Sequence, residues 1–578
     1  MGRELGKNLF WPAIVVTFCR MLYPGQTLRA LIVGALLSLS GLGPLAAAES
    51  DQALKARIQG LIPRLETYIA GGMKAFDVPG LAIGIVAGDE LIYAKGFGVR
   101  SKSGGEAVSP GTVFQIASTS KAFLATTMAI AVDHGKLHWD DRIIDLTPDF
   151  QLKDAWMTGE FRIFDIIAQR SGLPTNVNDT LGYLGFDADA MVRSLRFVDT
   201  LLSFRAAFTY TNVTHILAGR IVAAAEGAPD WGSVLTSELF DVLGMKNSSY
   251  TRAAIEAARD HAQGHRYTLE GSVEIPFTDW IPYRWGGAGA INSTVEDMAQ
   301  WMRLQLGNGT FQGRALVSPE NLAFTRTPKV ADSEKETYAM GWFNTYTPNG
   351  TVVWHNGGAD GFGAYVGLQL DRGIGVVILT NENNVGFPDA VGAWLLDRVM
   401  GNPEVDYATE KLDALKAALA QHARDVARPS NPRPFPPLGP LAGNFVSSIF
   451  GDAEIALSGD TLVLILKRSG AELELEPWDG DIFRVNPATE GPLRGGRRGA
   501  RPAHRICAVP DGEGRQARLA RAHRREQPIL RVPALIPFRT WQYCQFGNQS
   551  CYAARANIPG SWRRGVRPNM EASIEKIP

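Results

Sequence analysis

The stretch Phe114–Met128 reads FQIASTSKAFLATTM, and it places a hydroxyl, Ser118, three residues before an amine, Lys121, at the head of an apolar run. In an α-helix, residues three apart share a face, so the two side chains are expected side by side within the first turn. The apolar positions Phe123, Met128, Ala131 and Val132 give that helix a packing stripe to about Leu137, with Gly135 as its stop signal. The pair is a nucleophile beside a candidate base. Taken alone, it is also what a polar helix start looks like, and other segments must decide.

Working outward, Val78–Val99 (VPGLAIGIVAGDELIYAKGFGV) reads as a strand, a tight turn at Ala87-Gly88-Asp89 and a second strand. FRIFDIIAQRSGLP, from Phe161, reads as a helix stopped at Ser171-Gly172 and Pro174, and Thr214–Glu226 as another helix. Ser293-Thr294-Val295-Glu296 has capping-box spacing ahead of Met298, Trp301, Met302 and Leu304. Within Val352–Asn381, two β-rich segments flank Asp371-Arg372-Gly373, and a third ends at His355. The early hairpin and the late three-strand unit are expected to complete one antiparallel sheet, with the intervening helices covering it. The fold class is therefore α/β (α+β), a sheet flanked by helices plus a helical cluster.

The chain has 578 residues, 45% hydrophobic and 20% charged, with a formal net charge of -1. It is too long for one small domain, and without a global basic field nucleic acid is excluded as a partner. A small-molecule or peptide substrate is expected instead. The four cysteines are Cys19, Cys507, Cys544 and Cys551, so Glu49–Ala500 has no thiol nucleophile, thiolate metal site or disulfide.

Arg29, the run ALIVGALLSLSGLGPLAAA and an Ala46-x-Ala48 pattern describe an export signal over 1–48, with Met21 as an alternative start. Periplasmic or secreted location follows, with only transient membrane contact. An uncleaved anchor is the alternative, opposed by Gly41, Gly43 and Pro44, which break the apolar run. A large first domain is expected over 49–402, and a helix and Pro-rich linker span 403–440. A small partial β domain over 441–490 follows, with period-two alternation. Residues 491–578 hold sixteen Arg, one Lys and five acidic residues, and are expected to be an irregular tail of frameshift origin or a basic arm.

Tyr210-Thr211-Asn212, in a loop-like FTYTN before a helix, and His355-Asn356-Gly357-Gly358, at a strand end, complete the chemistry-bearing set with Ser118 and Lys121. The His261/His265 pair has i, i+4 spacing but Gly264 intervenes and no H-E-x-x-H is present, which argues against a metal site. No G-x-S-x-G elbow, P-loop or G-x-G-x-x-G fingerprint is found, and neither metal nor organic cofactor is implied.

In this order, S-x-x-K, QRSGLP, Y-x-N, GAGAINSTVEDMAQW and H-x-G resemble the serine β-lactamase and penicillin-binding protein superfamily, particularly its class C β-lactamase, D-peptidase and esterase branch, from about Leu61 to Met400. The resemblance implies an acylated Ser118, base machinery from Lys121 and Tyr210, and a polar contact from Asn212. It also implies a substrate-facing strand carrying His355 and Gly357, and an oxyanion hole from the backbone N–H groups of Ser118 and Gly358. Whether Lys121 or Tyr210 accepts the serine proton stays open at this stage. His355 stands where β-lactamases carry a lysine, and a mostly neutral imidazole favours an esterase, an amidase or a D-amino-acid peptidase over an efficient β-lactamase. A penicillin-recognising sensor that acylates without turnover is the rival reading. The resemblance further implies that Leu438–Val485 is a truncated lipocalin-like β domain.

Overall fold

The computed structural model describes residues 51–278, 282–425, 427–480, 482–487 and 504–507. The expected export signal lies outside the described residues, as does the Arg-rich tail apart from 504–507. Among the described residues no helix is long and apolar enough to cross a membrane. By its contacts the chain divides at Gln59/Gly60, inside the first helix, and apart from the start of that helix everything described below belongs to the unit that starts at Gly60.

Helix α1, Asp51–Ala75, precedes the expected hairpin of β1 (Gly80–Ala87) and β2 (Glu90–Gly98). Gly88, at φ 62°, takes the left-handed turn conformation that a side chain would strain. One 3-10 turn, Ala117–Thr119, then opens α2 (Ser120–Asp133), whose first twelve residues are all buried. Short α3 (Asp179–Tyr183), α4 (Val213–Glu226) and α5 (Val295–Leu306) follow.

Strands β3 (Val330–Ala331), β4 (Glu336–Tyr338), β5 (Phe343–Thr347), β6 (Gly350–Ala359), β7 (Phe362–Gln369) and β8 (Ile374–Thr380) complete an eight-stranded antiparallel sheet. Its order is β2-β1-β8-β7-β6-β5-β4-β3. Leu81 faces Thr380 and Ala87 faces Ile374, so the early hairpin and the late strands meet as the sequence implied.

Glycines in the sheet let helices settle on both faces. Met302 of α5 lies against Gly375, and a Cβ there would stand 3.1 Å from its Sδ. On the other face Leu396 of α6 (Phe387–Met400) lies against Gly367. Helix α1 packs on α6, with Tyr68 stacked on Trp394 at 5.0 Å. Helix α2 runs through the middle, Phe123 stacking on Trp301 at 4.1 Å and Trp301 on Trp342 at 5.5 Å. Burying rings of this size contributes about 2 to 3 kcal/mol each.

Four expectations are corrected. The strand expected to stop at His355 runs on to Ala359, because Gly357 and Gly358 stay in register opposite Ala364 and Gly363. The helix expected from Phe161 to a stop at Ser171-Gly172 is one short turn, Ile163–Ile166, and by Gln169, at φ 54°, the backbone has left the helix. The cap of α5 is Thr294 rather than Ser293: its hydroxyl accepts from Asp297 N at 3.1 Å. Asp297 does not return to the cap but accepts from Asn247 N and Ser248 Oγ. Finally, His504–Cys507 is a strand, although it falls in the span expected to be irregular.

That strand, β14, is the last of a second antiparallel sheet that follows α7 (Tyr407–Asp425). The others are β9 (Gly443–Ser447), β10 (Gly451–Ser458), β11 (Thr461–Leu466), β12 (Ala471–Asp479) and β13 (Ile482–Pro487), all in sequential order. Leu462, Leu466, Leu473, Leu475, Phe483 and Val485 form its buried face. Phe450, in the β9–β10 turn, meets Phe186 just after α3, with ring centroids 6.3 Å apart.

Candidate active site

The turn that carries Ser118 is held from three sides. Phe114-Gln115 pairs with Asn292-Ser293, Ile116 N donates to Ile291 O at 3.0 Å, and Thr119 Oγ1 donates to Ile116 O at 2.9 Å. Ala117, immediately before the serine, sits at φ 45°, a strained conformation for a residue with a Cβ that persists only when its surroundings enforce it. Strand β6 supplies part of that enforcement. At Gly357 a Cβ would lie 2.2 Å from Ile116 O, so only glycine lets the strand reach the turn that carries Ser118.

Lys121 is fully buried, and its Nζ lies 3.0 Å from Ser118 Oγ, 2.7 Å from Asn212 Oδ1 and 2.9 Å from Ala288 O. Burial pushes its amine well below the usual lysine range, against the opposing pull of the Asp179 charge. The consequence is geometric. Asn212 Oδ1 and Ala288 O can only accept, so a neutral Lys121 spends both N–H groups on them and is left with its lone pair toward Ser118.

Tyr210 is 7% exposed, its phenol reaches the Ser118 hydroxyl, and its ring lies 4.7 Å from Lys121 Nζ. Burial pushes the phenol far above its usual range; the Ser118 contact lowers it and the Asp179 charge raises it further. The two shifts separate the groups left open by sequence: Lys121 is the one driven toward the basic, neutral form, and Tyr210 is held as a phenol.

His355 is fully buried, and its ring centroid is 6.3 Å from that of Tyr210. Its Nδ1 is 2.6 Å from Asn356 O and its Nε2 is 3.2 Å from the Tyr338 hydroxyl. A carbonyl only accepts, so Nδ1 carries the proton and Nε2 accepts from Tyr338. Burial holds the imidazole down at about 3. His355 presents no cation here. Asn356 turns away to donate to Asp389 Oδ1, and Gly358 follows on the same strand with Asn384 beside it.

The structure therefore brings Ser118, Lys121, Tyr210, Asn212, His355, Gly357 and Gly358 together from one helix start, one loop and one strand. It also reveals partners that the sequence reading missed. Gln169 pins the Y-x-N loop: its Oε1 accepts from Thr211 N at 2.7 Å and its Nε2 donates to Thr211 O at 3.1 Å. Tyr338 fixes the His355 tautomer, the Ala288 carbonyl holds Lys121, and Asp179 Oδ2 accepts from Asn212 Nδ2 at 2.8 Å. Gln169 and Ala288 stood inside QRSGLP and GAGAI, but nothing in their residue type announces a role. The His261/His265 pair does not converge: His265 Nδ1 is engaged with Asn381 O and His261 Nδ1 with Ala258 O. Among the described residues no group of three His, Cys, Asp or Glu could hold a metal ion.

A serine hydroxyl beside a buried amine and a glycine-held strand on a helix-flanked antiparallel sheet form a serine-hydrolase type of site. The family model described as Beta-lactamase matches residues 65–400, more than half of the chain, and the chain belongs to that family. It is 28% identical over 403 residues to an unguisins hydrolase from Aspergillus campestris, covering 64% of this chain and 72% of that protein. A second unguisins hydrolase, from Aspergillus violaceofuscus, is 27% identical over 476 residues, 74% of this chain and 83% of the relative. Among solved structures, the octameric penicillin-binding protein homologue from Pyrococcus abyssi shares the fold. Its TM-score is 0.54 at 20% identity, over 74% of this chain and 94% of that one.

Proposed function

We propose that the protein is an exported serine hydrolase that cleaves ester or amide bonds of small molecules or D-peptides through an acyl-enzyme on Ser118. The observation that carries this reading is the bonding of Lys121, whose two fixed acceptors leave its lone pair for the serine proton. Lys121 takes that proton as Ser118 Oγ attacks the acyl carbon, and Tyr210 relays it to the leaving group. Holding a lysine neutral near pH 7 represents roughly 4 kcal/mol against its ordinary basicity, and full burial supplies the push. The N–H groups of Ser118 and Gly358 receive the developing oxyanion, each contributing on the order of 3 kcal/mol. Water then attacks the acyl group, with the proton path reversed. Two relatives named as hydrolases of unguisins support turnover rather than mere binding.

Neutral, fully engaged His355 supports an ester or peptide substrate over a β-lactam, whose carboxylate is served by a permanent cation at that position. The test is turnover by the full chain of a p-nitrophenyl short-chain ester, a D-amino-acid anilide and a chromogenic cephalosporin. Ester or anilide turnover with little cephalosporin hydrolysis is expected. Fast cephalosporin hydrolysis would make this a class C-type β-lactamase, and a stable adduct without turnover a sensor.

A further inference from the structure

Lys121 can serve as a base only while Asn212 shows it an oxygen. The Asn212 amide has two nearly isosteric ends, and the other orientation would point its Nδ2–H groups at the Lys121 lone pair. That donation would occupy the electron pair needed for the Ser118 proton and turn a Lys121 N–H toward Ser118 instead. Something must therefore fix which end faces the lysine. The only hydrogen bond made by Asn212 Nδ2 among the described residues is to Asp179 Oδ2, at 2.8 Å, while Oδ1 lies 2.7 Å from Lys121 Nζ.

We propose that Asp179 is a positioning residue: its carboxylate accepts only, so it holds the Asn212 amide with nitrogen outward and oxygen toward Lys121, and thereby keeps the Lys121 lone pair free for Ser118. The residue sits at the start of α3, in a segment where the sequence carried no motif. Its charge by itself works against catalysis, because a carboxylate near Lys121 favours the protonated amine. Orientation and charge therefore predict opposite outcomes when the charge is removed. Burial pushes Asp179 up to about 7, and the ionisable groups that feel its charge are Lys121 and Tyr210. Above that pH the carboxylate is ionised and the orientation is enforced.

This inference rests on the proposed roles of Ser118 and Lys121, and the test separates the two. Full-length protein, Asp179→Asn, Asn212→Ala and the double variant are compared by initial p-nitrophenolate release from p-nitrophenyl acetate above pH 7, with thermal denaturation as the check on folding. Asp179→Asn is expected to lower kcat on the order of 10- to 100-fold with KM little changed. In the Asn212→Ala background the same change is expected to alter kcat less than about twofold, because the group it acts through is gone. A rate that rises or stays level in Asp179→Asn, or independent effects in the double variant, would overturn the proposal while leaving Ser118 and Lys121 in place. Turnover that persists in Ser118→Ala would instead remove the reading on which it rests. Asp179→Ser carries the same cycle if Asp179→Asn does not fold.

Discussion

Lys121 Nζ lies 3.0 Å from Ser118 Oγ, fully buried, with its remaining hydrogen-bonding capacity taken by Asn212 and Ala288. A lysine in that position is either a buried cation with three acceptors or a neutral amine with its lone pair on a serine, and burial favours the second.

Replacing Lys121 by Met keeps the length of the side chain and removes the amine. General-base assistance contributes about 10²- to 10⁴-fold, so kcat is expected to fall by at least about 10²-fold. The far-ultraviolet circular dichroism spectrum should stay unchanged. Near-normal turnover in the folded variant would show that the amine is not the base.

Gly357→Ala tests the closeness of the strand to the nucleophile. The added methyl meets Ile116 O at 2.2 Å, backbone that cannot step aside cheaply. Overpacking of this kind costs roughly 1 to 3 kcal/mol. A lower melting temperature together with a lower kcat is expected, and a variant with wild-type values for both would contradict the packing described.

Gln169→Ala removes the side chain that satisfies Thr211 N, Thr211 O and Thr211 Oγ1. Each buried backbone group left unpaired costs about 1 to 3 kcal/mol. Chemical denaturation should register that loss, and turnover should drop because Tyr210 and Asn212 flank the unpinned residue.

His355 gives the site a signature in pH. Its folded-state value of about 3 lies below that of a free histidine, so between about 6.5 and 3 the unfolded chain binds more protons and stability falls as pH falls. One such group predicts a loss of about 2 kcal/mol between pH 7 and pH 5. His355→Gln should shrink that loss when unfolding is measured at the two pH values, whereas an identical pH dependence in the variant would contradict a buried neutral imidazole.

Much of this was legible in the chain. The hairpin around Gly88, the helix from Ser120 and the late strands all follow from local periodicity and turn residues, and their meeting in one sheet follows from pairing alternatives. What could not be read depends on contacts distant in sequence. The glycines after His355 look like a strand end, yet they continue the strand because Ile116 approaches them. Gln169 looks like a helix interior, yet its side chain is claimed by Thr211. Tyr338 and Asp179 carry no motif, since their place in the site exists only after the sheet and α3 have folded around it. The S-x-x-E at Ser293 was misplaced by one residue because Ser293 is held in a strand pair opposite Phe114, and the helix starts only after Thr294.

The most direct test of the account is to quench the full-length protein during turnover of a p-nitrophenyl ester and locate the acyl group by peptide mass spectrometry. The account predicts an acyl mass on the peptide that contains Ser118, absent in Ser118→Ala together with p-nitrophenolate release. Undiminished release by a folded Ser118→Ala protein, or an adduct on any other residue, would contradict it.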